Sequence, residues 1–378
     1  MKRILTSFAW AAAGMILLSS CLKDNYDGTV TEYQVTRGAL VLNTGDPAQY
    51  TNGSLSYIDF NTNEVQQDVF HRVNNKDLAG LPTDILVRGG KVYVAGDDVN
   101  IVYVLDKTSF QLIKEIDTEE EMGERNGLHP RRLCAYGDKV YVSTSSAYVG
   151  VIDTLTLSIS KQYMAGAFSE GMAIGLKNDV PYLYVANSDD GYGYGSITTI
   201  NLSTGEVTDS QYEKIRYPLD LAVAGDRIFV LDGGRYDEDG VRQDAGVYLI
   251  DGTNVQLLIP NAADMTGVNY SLLTYNTPKN PDNTPSYSLY DLLEGTVSDF
   301  FLSRDSHRPI LAPTTINIEP NSGYLMVGSH PVDDNGVPKT DMCGYVNLYT
   351  PNGTFVDSYE VGIWPRRIAY VYGTIQVK

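Results

Sequence analysis

The side chains able to do chemistry in this chain are scattered rather than clustered. Its four histidines, His71, His129, His307 and His330, form neither a His-x-His pair nor a His-Glu-x-x-His run, so no metal-ligand or acid–base spacing is present. There is no Gly-x-Ser-x-Gly elbow. Ser158-Ile159-Ser160-Lys161 matches Ser-x-x-Lys but sits in a strand-like pattern, where that nucleophile needs a helix. The run Gly191 to Gly195 lacks the following helix that would aim backbone N–H groups at a phosphate, and reads as a loop. Asp237-Glu238-Asp239-Gly240 and Asp333-Asp334-Asn335-Gly336 offer oxygens to Ca²⁺ but fall short of an EF-hand loop, and read as solvated turns. The expectation is a non-enzymatic protein with no catalytic residues, no metal site and no cofactor.

One residue with a specific chemical fate is Cys21. Lys2 and Arg3 form a positive start, Ile4 to Leu17 supply an apolar run, and Leu18-Ser19-Ser20 precede the cysteine. This resembles a bacterial lipoprotein signal, which implies removal of residues 1–20 and acylation of Cys21. The apolar run is shorter than the roughly 20 residues a membrane span needs. Lys23, Asp24 and Asp27 resemble the export signal that sends some Gram-negative lipoproteins to the outer face of the outer membrane. Residues 21–36 are then a polar tether, and the chain is expected to touch the membrane only through its lipid.

The sequence carries 28 basic and 47 acidic side chains, a net charge of −19. Losing Lys2 and Arg3 with the signal makes that about −21. Such a surface repels polyanions, so nucleic acid and anionic lipid headgroups are excluded as partners. Once Cys21 is acylated only Cys134 and Cys343 remain, both expected as packing residues in blades that are not neighbours.

The elements that must position any site repeat. Leu81-Pro82-Thr83-Asp84-Ile85 followed by Gly89-Gly90-Lys91-Val92-Tyr93-Val94 recurs from His129-Pro130 and from Tyr217-Pro218. Looser copies start at Phe168-Ser169, Ala312-Pro313 and Trp364-Pro365. Third strands such as Val102 to Asp106 and Val247 to Asp251 end in an acid or amide and a polar turn. Four antiparallel strands per repeat make a propeller blade. The markers at 82, 130, 169, 218, 313 and 365 leave one double-length gap, which predicts a degenerate blade between about Asn261 and Ser306. Too little chain follows Pro365 for a blade, and the strands at Gly38 to Asn43 and Ser54 to Phe60 lack an inner partner. The sequence therefore predicts an all-β, seven-bladed β-propeller over residues 37–378, with N- and C-terminal strands closing one blade.

In a propeller the loop leading into each inner strand and the loop joining the second and third strands open on one face. The lead-in loops carry His129, Phe168, Tyr217 and Trp364; two residues past the proline slot come Arg132 and Arg367, beside Asp84 and Asp220. Long second-to-third-strand loops, about 44–53, 188–195, 232–246 and 329–344, add Tyr50, Tyr192, Tyr194 and Tyr236. Flat rings among amides and carboxylates suit a sizeable ligand that is part flat and part polar. The arginines have a structural alternative, capping carbonyls or pairing with Asp84 and Asp220 around the channel.

Leu42-Asn43-Thr44-Gly45 leading to Ser56-Tyr57-Ile58-Asp59-Phe60, the Pro-Arg and Ser-Glu-Gly blade starts, Tyr184-Val185-Ala186-Asn187 and Tyr359 to Arg367 resemble the YncE-like seven-bladed propeller lipoproteins of Gram-negative gut anaerobes. The cobalamin-capturing BtuG type belongs to that family. The resemblance implies capture of an extracellular nutrient, a corrinoid favoured, for a TonB-dependent transporter. A glycan-binding propeller, an interaction or envelope scaffold without a small ligand, and a lactonase-like enzyme are the alternatives.

Overall fold

The computed structural model describes residues 31–377 except 189–193, 225–226, 269, 277–283 and 306. Among these residues, seven four-stranded antiparallel sheets and one two-stranded ribbon account for the strands. Blades 1 to 6 start at Pro82, Pro130, Ser169, Pro218, Ala262 and Ala312, and run strand by strand from the channel outward. Blade 7 takes its inner strand, Pro365–Val377, from the C-terminus and its other three, Thr31–Asn43, Ser54–Asp59 and Glu64–Gln66, from the N-terminus. The chain is a seven-bladed β-propeller closed by its two ends.

The closing strands pair from Asn43 opposite Pro365 to Thr31 opposite Val377. Pairing starts at Thr31, so the sheet reclaims residues up to Thr36 that the sequence suggests are tether. The degenerate blade is Ala262–Val268, Ser271–Asn276, Ser286–Asp291 and Thr296–Phe300, within the expected interval. Ala262 stands where other blades carry proline or serine, which hid the repeat.

The apolar core is seven separate layers, one between each pair of neighbouring blades. A middle strand therefore buries both faces, which is why Val92, Tyr93, Val94 and Ala95 form a continuous apolar run, all buried. Outer strands such as Ile159–Met164 leave most side chains in water. The acid or amide ending each third strand shapes the turn after it: Asp106 Oδ1 accepts from the N–H groups of Thr108 and Ser109, and Asn201 Oδ1 from those of Ser203 and Thr204. Two short helices, Val69–Asn74 and Thr118–Met122, lie in the linkers flanking blade 1. None of the described helices is long and apolar enough to cross a membrane.

Candidate ligand-binding face and channel

One repeated hydrogen bond builds the face. In five blades the residue just past the second strand donates its N–H to the carbonyl of the lead-in residue of the same blade: Asp97 to Leu81, Ser145 to His129, Ser188 to Phe168, Gly233 to Tyr217 and Thr44 to Trp364. Lead-in loops and second-to-third-strand loops are thereby joined on one side of the ring. His129, Phe168 and Trp364 hold left-handed backbone, with φ of 56°, 52° and 59°. That conformation costs a non-glycine residue energy, and here it turns the chain sharply before a proline or serine opens the inner strand. At Tyr217 the lead-in loop is fixed by buried Asp232, which accepts from the N–H groups of Arg216, Tyr217 and Gly234. Burial pushes the Asp232 carboxyl up against these bonds.

Several sequence-predicted aromatics stand out from this face. Tyr236 is 73% exposed at the tip of the ribbon Arg235–Tyr236 and Arg242–Gln243, which Arg242 ties down by donating to Gly233 O at 2.6 Å. Phe168, Tyr194 and Tyr217 are each nearly half exposed. The Arg216 guanidinium lies 4.4 Å from the centre of the Tyr194 ring. Tyr50 is 94% exposed. Tyr192 lies outside the described residues. Trp364 is less exposed than any of the described rings above, its own ring meeting His330 edge-on with centroids 5.0 Å apart. Between Asn276 and Ser286, the ends of the second and third strands of the degenerate blade, residues 277–283 lie outside the described residues.

His129 and its neighbours form a charge network across three blades. Asp97, from blade 1, takes His129 Nδ1 at 2.9 Å and Arg131 Nη1 at 2.6 Å. Arg131 also meets Glu170 of blade 3 through Nε at 3.0 Å and Nη2 at 2.9 Å. Burial pulls the Arg131 guanidinium down, but Glu170 and Asp97 outweigh it and hold the group above its ordinary value. Glu170 was legible in the sequence, since it occupies in blade 3 the slot that Arg131 occupies in blade 2.

Arg132 and Arg367 point into the channel and are committed there. Arg132 Nη1 donates to the carbonyls of Thr83 and Arg131. Burial, and then the like charge of Arg367, pull its guanidinium down to about 10. Arg367 lies between Asp220, Nη2 to Oδ2 at 3.2 Å, and Asp84, Nε to Oδ1 at 3.8 Å. A third acid, Asp264 of the degenerate blade, shares this slot and was missed because no proline marks its strand. Burial raises the Asp84 and Asp264 carboxyls, with Arg367 the largest opposing influence on each. Asp84 accepts from the Leu133 N–H and Asp264 from the Ile316 N–H, each in the following blade, so the acids stitch neighbours together.

Among the described residues no three His, Cys, Asp or Glu side chains are placed to hold a metal ion. Asp237 and Asp333 each accept two backbone N–H groups of their own turn. Cys134 packs between blades 2 and 3, whereas Cys343 is exposed, contrary to its expected packing role, because it opens a third strand at the rim.

These features define a propeller with ion-paired inner strands and an aromatic rim on one face. No protein-family model and no curated protein matches the sequence. Solved structures with similar folds include a candidate 6-phosphogluconolactonase from Bacteroides uniformis, at 12% identity and TM-score 0.56 over 91% of this chain and all of that one. The WD40 repeats of RRP9, also at 12% identity, align with TM-score 0.53 over 75% of this chain and 81% of theirs. At this identity the similarity is one of fold.

Proposed function

We propose that this protein is an outer-membrane, surface-facing lipoprotein that captures an extracellular ligand on its aromatic rim and delivers it to a TonB-dependent transporter. One observation carries the reading: Tyr50, Phe168, Tyr194, Tyr217 and Tyr236 are exposed on the face where the lead-in loops meet the second-to-third-strand loops. Rings held out in water on a rigid scaffold contribute contact area at low entropic cost. A corrinoid is the favoured ligand through the family resemblance, with a glycan second. The inner-strand Arg367 is paired with Asp84 and Asp220, whereas the rim rings stand exposed as surface for a large ligand.

The test is calorimetric titration with cyanocobalamin and then with oligosaccharides, on wild type and on Phe168→Ala, Tyr194→Ala and Tyr236→Ala. A ring at the centre of the site should be worth about 2 kcal/mol, roughly thirtyfold in affinity, with thermal stability unchanged. If no ligand binds, or all three variants bind as wild type does, the rim is not a capture surface and the scaffold reading takes its place. The candidate lactonase shares the fold, so lactone hydrolysis is the control assay, and activity there would overturn the non-enzymatic reading.

A further inference from the structure

The sevenfold repeat contains a template for an anion site. In blade 2 the lead-in residue His129, the arginine after the proline slot, Arg131, and the flanking acids Asp97 and Glu170 form one closed network. Blade 7 repeats the backbone: Trp364 takes the place and left-handed conformation of His129, and Arg366 that of Arg131. The acids are absent. In the sheet register Pro82 faces Gly96 and Pro313 faces Ser329, so His330 occupies the slot of Asp97. Thr83 of blade 1 occupies the slot of Glu170, and its hydroxyl donates to Pro130 O at 2.9 Å.

The packing follows the template. Just as Asp97 meets His129, His330 meets Trp364. His330 is 5% exposed and its Nδ1 has no hydrogen-bond partner. Burial pulls its imidazole down to about 4, so at neutral pH it gives Arg366 neither a negative partner nor a competing charge. Arg366 is exposed, and its side chain makes no ion pair or hydrogen bond among the described residues; its charge reaches the buried Asp264 and Tyr275 of blade 5 without contact.

We propose that Arg366, with Trp364 and His330 beside it, forms an oxyanion subsite where a carboxylate or phosphate group borne by the ligand takes the place that Asp97 and Glu170 fill around Arg131. The inference deepens the capture reading by naming a charged group on the ligand. A guanidinium with a free fork and an adjacent ring binds such a group through paired N–H donors while the ring covers the ligand's carbon frame. In a chain of net charge −19, a local anion site also discriminates, because general repulsion suppresses anions elsewhere on the surface.

The probes are sodium acetate and sodium phosphate, titrated at ionic strength held constant with chloride. The chain has two tryptophans, Trp10 and Trp364, so in the full-length Trp10→Phe protein the indole fluorescence reports on the site alone. A saturable change is expected with at least one probe, and the stronger of the two identifies a carboxylate or a phosphate as the fitting group. Arg366→Gln should weaken it at least tenfold. His330→Asp should abolish it, because it installs the missing carboxylate beside Arg366. Should His330→Asp fail to fold, Thr83→Glu places the acid in the other slot with the same expected result. A response no different from chloride, or an Arg366→Gln titration superimposed on wild type, overturns the proposal. Because these ions are not the captured nutrient, a negative cobalamin or glycan titration leaves this outcome independent.

Discussion

Replacing Arg367 by methionine isolates the energetics of the channel. The side chain bridges Asp220 at 3.2 Å and Asp84 at 3.8 Å, and all three are only 13–19% exposed. At an effective dielectric of about 20, each contact corresponds to about 4–5 kcal/mol of gross attraction. Methionine keeps the hydrocarbon stem and removes the cost of desolvating a guanidinium, which offsets part of that loss. Stranding a buried partner charge typically costs 3–5 kcal/mol, and residual solvent access places this case near about 3 kcal/mol at pH 7. The pH dependence has a definite sign. Asp84 and Asp264 have folded-state pKa values raised above their ordinary range, so their contribution is fully favourable below the unfolded carboxylate value and is lost as pH rises through the folded one. Removing Arg367 raises both further. The difference between Arg367→Met and wild type should therefore be largest at neutral pH and shrink toward pH 4. Urea unfolding at pH 7 and pH 4.5 measures it. A deficit below about 1 kcal/mol at pH 7, or one of equal size at both pH values, would refute the assignment of Arg367 as the channel's charge clamp.

Deleting residues 368–378 removes most of the strand that closes the ring, with the buried side chains of Ile368, Tyr370 and Val371. Lost burial alone amounts to on the order of 5 kcal/mol, and the strand Thr31–Asn43 is left with an open edge, so the truncation should aggregate, as sedimentation will show. Cys21→Ala should leave the protein in the soluble fraction after a carbonate wash, because the acyl chains are the expected anchor; continued membrane association contradicts a lipid-only attachment.

Much of the architecture is written locally. Pro82, Pro130, Pro218, Pro313 and Pro365 mark inner strands, because proline at a strand start removes an N–H the ladder does not need there. The double-length gap before Pro313 and the missing inner partner of Gly38 to Asn43 fix the count and the closure, since four strands per blade and no free edge leave one solution. The exposure of Tyr236, Tyr194 and Phe168 was also readable, because loop length and turn residues place them on the rim. The fate of the arginines was not. Arg131 and Arg366 follow the same proline in the same repeat, yet one is held by Asp97 and Glu170 and the other is open. Asp264 joins Asp84 and Asp220 from a strand without a marker, and the Trp364 ring meets a histidine 34 positions away. A repeat motif determines where a backbone slot lies. The sign and burial of its neighbours come from the blades before and after it, and only the packing of blades around the ring brings those side chains together.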